Sequence, residues 1–486
     1  MNPLKKLAGQ TALYGISSIL GRSLNYLLVP LYTLQLAPEQ FGIYTELYAY
    51  VGFLVVLLTY GMETALFRFA NQEPDNNQVY SSALISFLVS SISFAIIVTL
   101  ASGPIAAAMD YPNHPEYITW FAWILALDAL SALPFARLRL QNKPLRFAMV
   151  RLASIGVNVT LNLFFLYFAK NAFDSGETSW MASCYDPNIG VGYIFIINLI
   201  SSIITLVLLL PAFRGLSAGF SAETWKRMVS YGLPLVVVGL AGIINETLDR
   251  ALMKYLLPHD HDTNMYQLGI YGANYKLAML MTIFIQAYRY AAEPFFFSQA
   301  KEKDSKHLFA KILNYFALAG AFIFLTVTLF IDVFKWFIRN PAFHEGLNVV
   351  PLLLMANLFF GLYVSLSIWY KLSDKTGLGG WVALSAAALT IALNVWWIPI
   401  YGYTGSAWAT LIVYVYLATV SLILGNKYYP VPYQVGRIAI YILVAFSIYL
   451  LDYNFTRFIP VNAYVIKSGY LAGYSLFAYL MEKGNK

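Results

Sequence analysis

Four basic residues, Arg22, Arg250, Lys276 and Arg289, stand inside stretches of sequence that are otherwise almost free of charge. Guanidinium and ammonium groups in such company suit the binding of phosphate, because they can replace the water that phosphate oxygens lose on leaving solvent. The pattern is sharpest between positions 275 and 293. Tyr275, Met279, Thr282, Gln286, Arg289 and Glu293 follow one another in steps of four, three, four, three and four, which puts them all on one face of a helix. Lys276 stands about 100° round the same helix from Tyr275 and flanks that face. Arg22 and Asn25 share a face with Ser18 in an earlier apolar stretch. Acids in comparable positions, Glu63, Asp128, Glu246, Asp249 and Glu293, are candidates to carry a coupling proton or sodium ion. Each candidate also has a plainer role. Arg289 with Glu293, and Glu246 with Arg250, are i,i+4 pairs that can neutralise one another, and Asn245 with Asp249 repeats that step. Asp128 has no basic residue within a helical turn, and is either a buried proton site or the partner of a cation from a neighbouring element.

Other chemistries find little support. There is no Gly-x-x-x-x-Gly-Lys-Ser/Thr, so ATP hydrolysis by this chain is not expected. Pro258-His-Asp-His-Asp262 holds two His and two Asp, but residues so close together in a short loop cannot easily wrap one ion. A solvated loop is the expectation there, with no metal and no cofactor. Cys184 is the only cysteine, which rules out an intrachain disulfide or a cysteine-based cluster.

The elements that carry these residues follow from composition. With 59% hydrophobic and 11% charged residues and a mean hydropathy of +0.63 over 486 residues, the chain cannot cover a water-soluble surface. Apolar runs of about twenty residues, the length a helix needs to cross a bilayer, recur throughout. They fall at roughly 9–36, 41–67, 80–109, 117–138, 147–169, 190–212, 229–257, 269–297, 309–333, 348–370, 378–400, 404–424, 436–452 and 460–481. Such runs are apolar on every side, unlike the alternating strands of a membrane barrel. The fold class is therefore an all-α integral membrane protein with about 14 transmembrane helices, and the opening MNPLKKLAGQTALYG reads as the start of span 1 rather than a cleaved leader. Connections this short leave no room for a separate catalytic domain.

Lys and Arg near helix ends favour the cytoplasmic side. With the N-terminus inside, twenty of the 31 basic residues fall in inside segments and five in outside ones, so both termini are expected in the cytoplasm. The net charge of +7 follows from that sorting and gives no support to nucleic-acid binding. Six basic residues fall within spans. Arg151 and Lys467 are near enough to a helix end to snorkel. The other four would cost roughly 10–14 kcal/mol together if they faced lipid, at about 2.5–3.5 kcal/mol each, and must face protein or water.

The chain also repeats itself. Gly42-Ile-Tyr44 with Tyr48 recurs as Gly269-Ile-Tyr271 with Tyr275, Arg139-Leu-Gln-Asn-Lys143 as Lys371-Leu-Ser-Asp-Lys375, Leu161-Asn162 as Leu393-Asn394, and Tyr14-Gly15 as Tyr231-Gly232. Spans 1 to 6 and 7 to 12 are thus two copies of one unit, and an even span number makes the repeat parallel. Two six-helix lobes, 1–217 and 218–427, are expected around a central cleft, followed by an unpaired helix pair at 428–486. By the Gly42 to Gly269 register, Lys276, Arg289 and Glu293 correspond to Ala49, Met62 and Leu66, so these charges belong to the second lobe alone. An asymmetric ligand explains that better than the needs of the fold.

This architecture, with the stretch GRSLNYLLVPLYTLQLAPEQFGIY and above all Leu36-Ala-Pro-Glu39-Gln-Phe-Gly42-Ile-Tyr44, resembles the polysaccharide flippases (O-antigen and capsule, Wzx-like) of the multidrug/oligosaccharidyl-lipid/polysaccharide exporter superfamily. The resemblance covers essentially the whole chain. It implies a transporter, not an enzyme, that moves undecaprenyl-diphosphate-linked oligosaccharide across the bacterial cytoplasmic (inner) membrane, with H+ or Na+ as coupling ion. Membrane lipids surround it, and glycosyltransferases and a polymerase are its candidate partners. Under this reading Arg22, Asn25, Arg250, Lys276, Gln286 and Arg289 bind substrate. The nearest rivals are a peptidoglycan lipid-precursor flippase and a drug or ion antiporter of the same superfamily. A polysaccharide polymerase is the rival from another class, but the longest loop, NAFDSGETSWMASCYDPNIG, has neither His nor paired basic residues.

Overall fold

The computed structural model describes residues 26–70, 76–213, 219–299, 302, 304–455 and 462–483. Among them, eleven helices are long and apolar enough to cross a membrane. Two compact units divide the chain, Met1–Ala251 and Leu252–Lys486.

The first unit holds α1 (Val29–Gln35), α2 (Pro38–Thr59), α3 (Met62–Ala70), α4 (Asn76–Leu100), α5 (Pro115–Leu140), α6 (Pro144–Leu163) and α7 (Gly192–Leu209). It also takes most of α8 (Ala222–Leu256). Pro38, Pro115 and Pro144 open α2, α5 and α6, where a missing N–H costs nothing. Helix α5 lies against α2, α4 and α7, and α7 against α6. Span 2 is broken where Tyr60 and Gly61 take φ of 28° and 69°, separating α2 from α3. Beyond the break, Met62, Leu66 and Phe69 pack with Tyr80, Phe87, Leu133 and Met228, the last contributed by α8.

The second unit holds α9 (His261–Gln299), α10 (Ser305–Leu329), α11 (Val350–Leu366), α12 (Thr376–Tyr428), α13 (Val435–Phe455) and α14 (Ala463–Lys483). Helix α11 packs on α9, α10 and α12, and α10 carries α13 and α14. The 53-residue α12 is two spans in one. Gly402, with φ 61° and ψ −148°, reverses the chain so that Val382 and Ala386 pack with Val413 and Tyr414, and the Tyr416 hydroxyl meets Ser385 Oγ at 2.9 Å. Only glycine takes that backbone conformation freely. The α14 segment, rich in Tyr, Gly and Ser, has spanning length but falls short of the apolarity of the others.

The repeat is visible in the backbone. Asn142 and Asp374, equivalent in the two copies, both take positive φ, 52° and 55°. Asn162 and Asn394, equally spaced beyond them, are both fully buried and donate from Nδ2 to the carbonyl four residues back, at 2.8 and 2.9 Å. In both units the fourth span of the copy touches the second, third and sixth.

Lys467 does not snorkel. Its side chain, 10% exposed, lies 3.8 Å from Asp452 on α13 and 3.6 Å from Asp332, which Lys335 also holds at 2.9 Å. The hydrogen bond and charge of Lys335, with the charge of Lys467, keep the Asp332 carboxyl below the usual carboxylate range. Lys467→Met would strand Asp452, 11% exposed, at a cost of about 1–3 kcal/mol. A lower melting temperature in detergent is expected, restored when Asp452 is also changed to Leu.

Candidate functional site

A polar network joins helices of the first unit, with Asn158, Asn162 and Ser202 buried and Asp128 exposed. Asp128 on α5 accepts a hydrogen bond from Ser202 Oγ of α7 at 2.7 Å, and Arg151 of α6 is the cation whose charge reaches it. Nearby, Asn198 donates to the Tyr48 hydroxyl, Asn158 Nδ2 donates to Asn198 Oδ1 at 2.9 Å, and Asn162 Nδ2 reaches Asn158 Oδ1 at 3.1 Å. The Tyr48 ring lies tilted against Tyr44, 4.7 Å between centres, and Tyr44 meets Tyr32 edge-on at 5.6 Å. Buried polar groups cost little only when they satisfy one another, and four helices contribute to doing so here. Asn162 Oδ1 has no partner among the described residues. The partner that sequence left open for Asp128 is therefore a hydroxyl in contact and a cation at longer range.

Glu46, two residues before Tyr48 on the same helix, was not among the acids singled out from sequence. It is fully buried on α2 and accepts from the hydroxyls of Tyr111 and, at 3.4 Å, Tyr50. Its position four residues before Tyr50, inside an apolar span, was the available signal.

The other candidates are distributed differently. Arg22 and Asn25 lie outside the described residues. Glu63 pairs with Arg139, both partly exposed. Arg250 donates to the Glu246 backbone carbonyl and meets Asp249 at 3.3 Å, so its ion pair is with its neighbour and not with the Glu246 carboxylate. Asp249 is buried and Glu246 exposed. On α9, Lys276 and Gln286 are half-buried and Arg289 is exposed, with its charge acting on Tyr363 of α11. Lys276 and Arg289 are thirteen residues apart, about 20 Å along the axis, too far for a single phosphate. The Glu293 side chain is outside the described set.

At the start of α9 the suspected metal loop is a helix cap. Asp260 accepts from the Thr263 hydroxyl at 2.8 Å and the Thr263 backbone N–H at 3.2 Å, and these bonds hold its carboxyl below the usual range. No cluster of three or more His, Cys, Asp or Glu fit for a metal occurs among the described residues.

One cationic recess was not anticipated. Arg68 and Phe69 of α3 face Lys226, Arg227, Ser230 and Tyr231 of α8 around about 500 Å³. Arg68 lies 4.3 Å from the Tyr231 ring centre and Arg227 5.3 Å from that of Phe69. Aromatic faces hold the guanidinium groups in place without consuming their N–H donors. The three charged residues lining it are all cations, an arrangement suited to a polyanion such as a diphosphate. Sequence placed these residues on the basic side of the membrane but on different spans, with nothing to bring them together.

Residues 7–300 match the family described as Polysaccharide biosynthesis protein. The chain belongs to that family. No curated protein matches the sequence significantly. As a polysaccharide biosynthesis protein it shares its fold with solved transporters. The lipid II flippase MurJ in an inward closed conformation aligns at TM-score 0.68 and 13% identity, over 98% of this chain and 99% of that one. An inward-facing multidrug resistance MATE transporter of the MOP superfamily gives 0.66 and 13%, over 86% and 95%. The MATE multidrug transporter DinF-BH gives 0.62 and 17%, over 88% and 96%. These likenesses establish the fold. The matched family and the eleven membrane-length helices among the described residues make this a multi-pass membrane protein of the polysaccharide biosynthesis family.

Proposed function

We propose that this protein flips an undecaprenyl-diphosphate-linked oligosaccharide repeat unit across the bacterial cytoplasmic membrane, its two repeat lobes, 1–217 and 218–427, giving alternating access to a cleft between them. The observation that carries the reading is the recess of Arg68, Lys226 and Arg227, three cations around a space of about 500 Å³ in a chain of the polysaccharide family. In this reading the recess captures the diphosphate from the side where Lys and Arg collect. Arg22, Asn25, Arg250, Lys276, Gln286 and Arg289 then guide the headgroup and sugars. Asp128 is the first choice for a coupling site, because an exposed carboxylate held in place by the Ser202 hydroxyl at 2.7 Å can take up and release a proton or a cation. Glu63, Glu246, Asp249 and Glu293 come behind it. A peptidoglycan-precursor flippase is the second reading, favoured by the alignment with MurJ over nearly the full length of both chains.

Cells carrying Lys276→Gln with Arg289→Gln are expected to stop displaying surface polysaccharide while the protein accumulates normally. Lipid-linked repeat units should then build up with their sugars protected from a reagent applied outside. Single units reachable from outside would point to polymerisation instead, and normal display would remove both residues from the path.

A further inference from the structure

The second unit contains a separate cavity of about 400 Å³ where the start of α10, the start of α13 and the end of α14 meet. All three ends are on the side where the sequence concentrates Lys and Arg. Lys311, Arg437 and Lys483 line it with one acid, Glu482. That acid is already engaged, accepting from the Tyr441 hydroxyl at 2.6 Å and lying 3.7 Å from Arg437. Lys311 and Lys483, both exposed, have no carboxylate partner among the described residues. The first turn of α13 has no acidic residue, so the positive end of its dipole adds to the field.

A second feature is independent of charge. Asn314, 4% exposed, lines the cavity and donates from Nδ2 to Gln434 Oε1 at 2.8 Å, leaving its Oδ1 buried with no partner among the described residues. A buried acceptor calls for a donor such as a hydroxyl. Tyr315 and Tyr479 complete the rim, and beyond them Phe322 on α10 and Leu476 on α14 are exposed apolar side chains along which acyl chains can lie.

We propose that this cavity binds the headgroup of an anionic glycerophospholipid with a hydroxylated head, phosphatidylglycerol being the representative. The phosphate sits between Lys311, Arg437 and Lys483, and a head hydroxyl donates to Asn314 Oδ1. A zwitterionic lipid brings an ammonium group toward a site whose net charge is already positive, and is disfavoured. The lipid thereby fastens the trailing helices α13 and α14 to α10. This site is distinct from the diphosphate recess of the first unit.

The test is native mass spectrometry of the full-length protein in detergent, titrated with phosphatidylglycerol, phosphatidylethanolamine, phosphatidic acid or free glycerol phosphate. The wild type is expected to retain one phosphatidylglycerol in preference to the others. Lys311→Gln with Lys483→Gln should weaken that binding about 30-fold, at about 1 kcal/mol per lysine, while Lys371→Gln with Lys375→Gln leaves it unchanged. Asn314→Leu should lower the preference for phosphatidylglycerol over phosphatidic acid without removing charge. Equal retention of phosphatidylethanolamine, equal binding of free glycerol phosphate, the same loss in the Lys371/Lys375 control, or an unaltered preference in Asn314→Leu would each overturn the assignment.

Discussion

Under the proposed flippase function, Gly232→Val is expected to reduce polysaccharide export about 5–150-fold. A Cβ on Gly232 would stand 2.5 Å from the Tyr60 carbonyl oxygen, and one on Gly61 2.5 Å from the Gly232 carbonyl oxygen. Both obstacles are backbone, and Gly61 has φ +69°, so neither side can give way by turning a side chain. Forcing the two backbone segments apart costs about 1–3 kcal/mol, which is about 5–150-fold in any equilibrium that requires α3 and α8 to be packed. Nearby positions supply a graded control. At Gly239 the obstacle is Val56 Cγ1 at 3.0 Å, and at Gly52 it is Ile243 Cγ2 at 3.1 Å, both side-chain atoms that can move. Gly239→Ala should therefore leave export within about twofold of wild type. Export by Gly232→Val at the wild-type rate, with normal protein levels, would show that transport proceeds without this contact.

That contact also shows where sequence reasoning ends. Among the described residues the apolar runs announced spans 2 to 13, because hydrocarbon demands continuous helix length, whatever lies beside the helix. The repeat was legible for a related reason: Asn142 and Asp374 occupy the same left-handed turn, and Asn162 and Asn394 make the same bond to the carbonyl four residues back. These are local facts, written in short stretches of chain. What was not legible is lateral. Tyr231-Gly232 was recognised as the twin of Tyr14-Gly15, yet nothing in it says that Gly232 meets Gly61, or that Arg68 reaches the ring of Tyr231. Lys467 shows the same limit, since its two acids come from Asp452 and Asp332, on other elements. Helical spacing correctly grouped Glu246 with Arg250 on one face, but the guanidinium took the backbone carbonyl and the adjacent Asp249, because a long side chain chooses among all acceptors within reach. Glu46 was hidden for a different reason. With two tyrosine hydroxyls from its own and another segment satisfying it, a buried acid looks from sequence like any polar residue in an aromatic stretch.

Asp128→Asn separates coupling from structure. The substitution keeps the shape of the side chain and an oxygen that can accept from Ser202 Oγ, now at 2.7 Å from Asp128 Oδ1, so the hydrogen-bonded frame of α5 and α7 is retained and the protein should accumulate. What it removes is the negative charge. If that charge serves only to balance Arg151, its loss leaves an unmatched cation, and Arg151→Gln in the same chain should restore export. If Asp128 exchanges a proton or sodium ion in each cycle, export falls at least about tenfold in Asp128→Asn, by the loss of about 1.4 kcal/mol or more of coupling, and Arg151→Gln does not bring it back. We expect the second outcome, because the atom in contact with the carboxylate is a hydroxyl while Arg151 is engaged over the Phe135 ring at 4.3 Å. Residual export in the mutant should also no longer respond to collapse of the ion gradient, whereas the wild type should. Recovery of gradient-dependent export in the double mutant would return Asp128 to the structural frame and move the coupling site to one of the remaining candidate acids, Glu63, Glu246, Asp249 or Glu293.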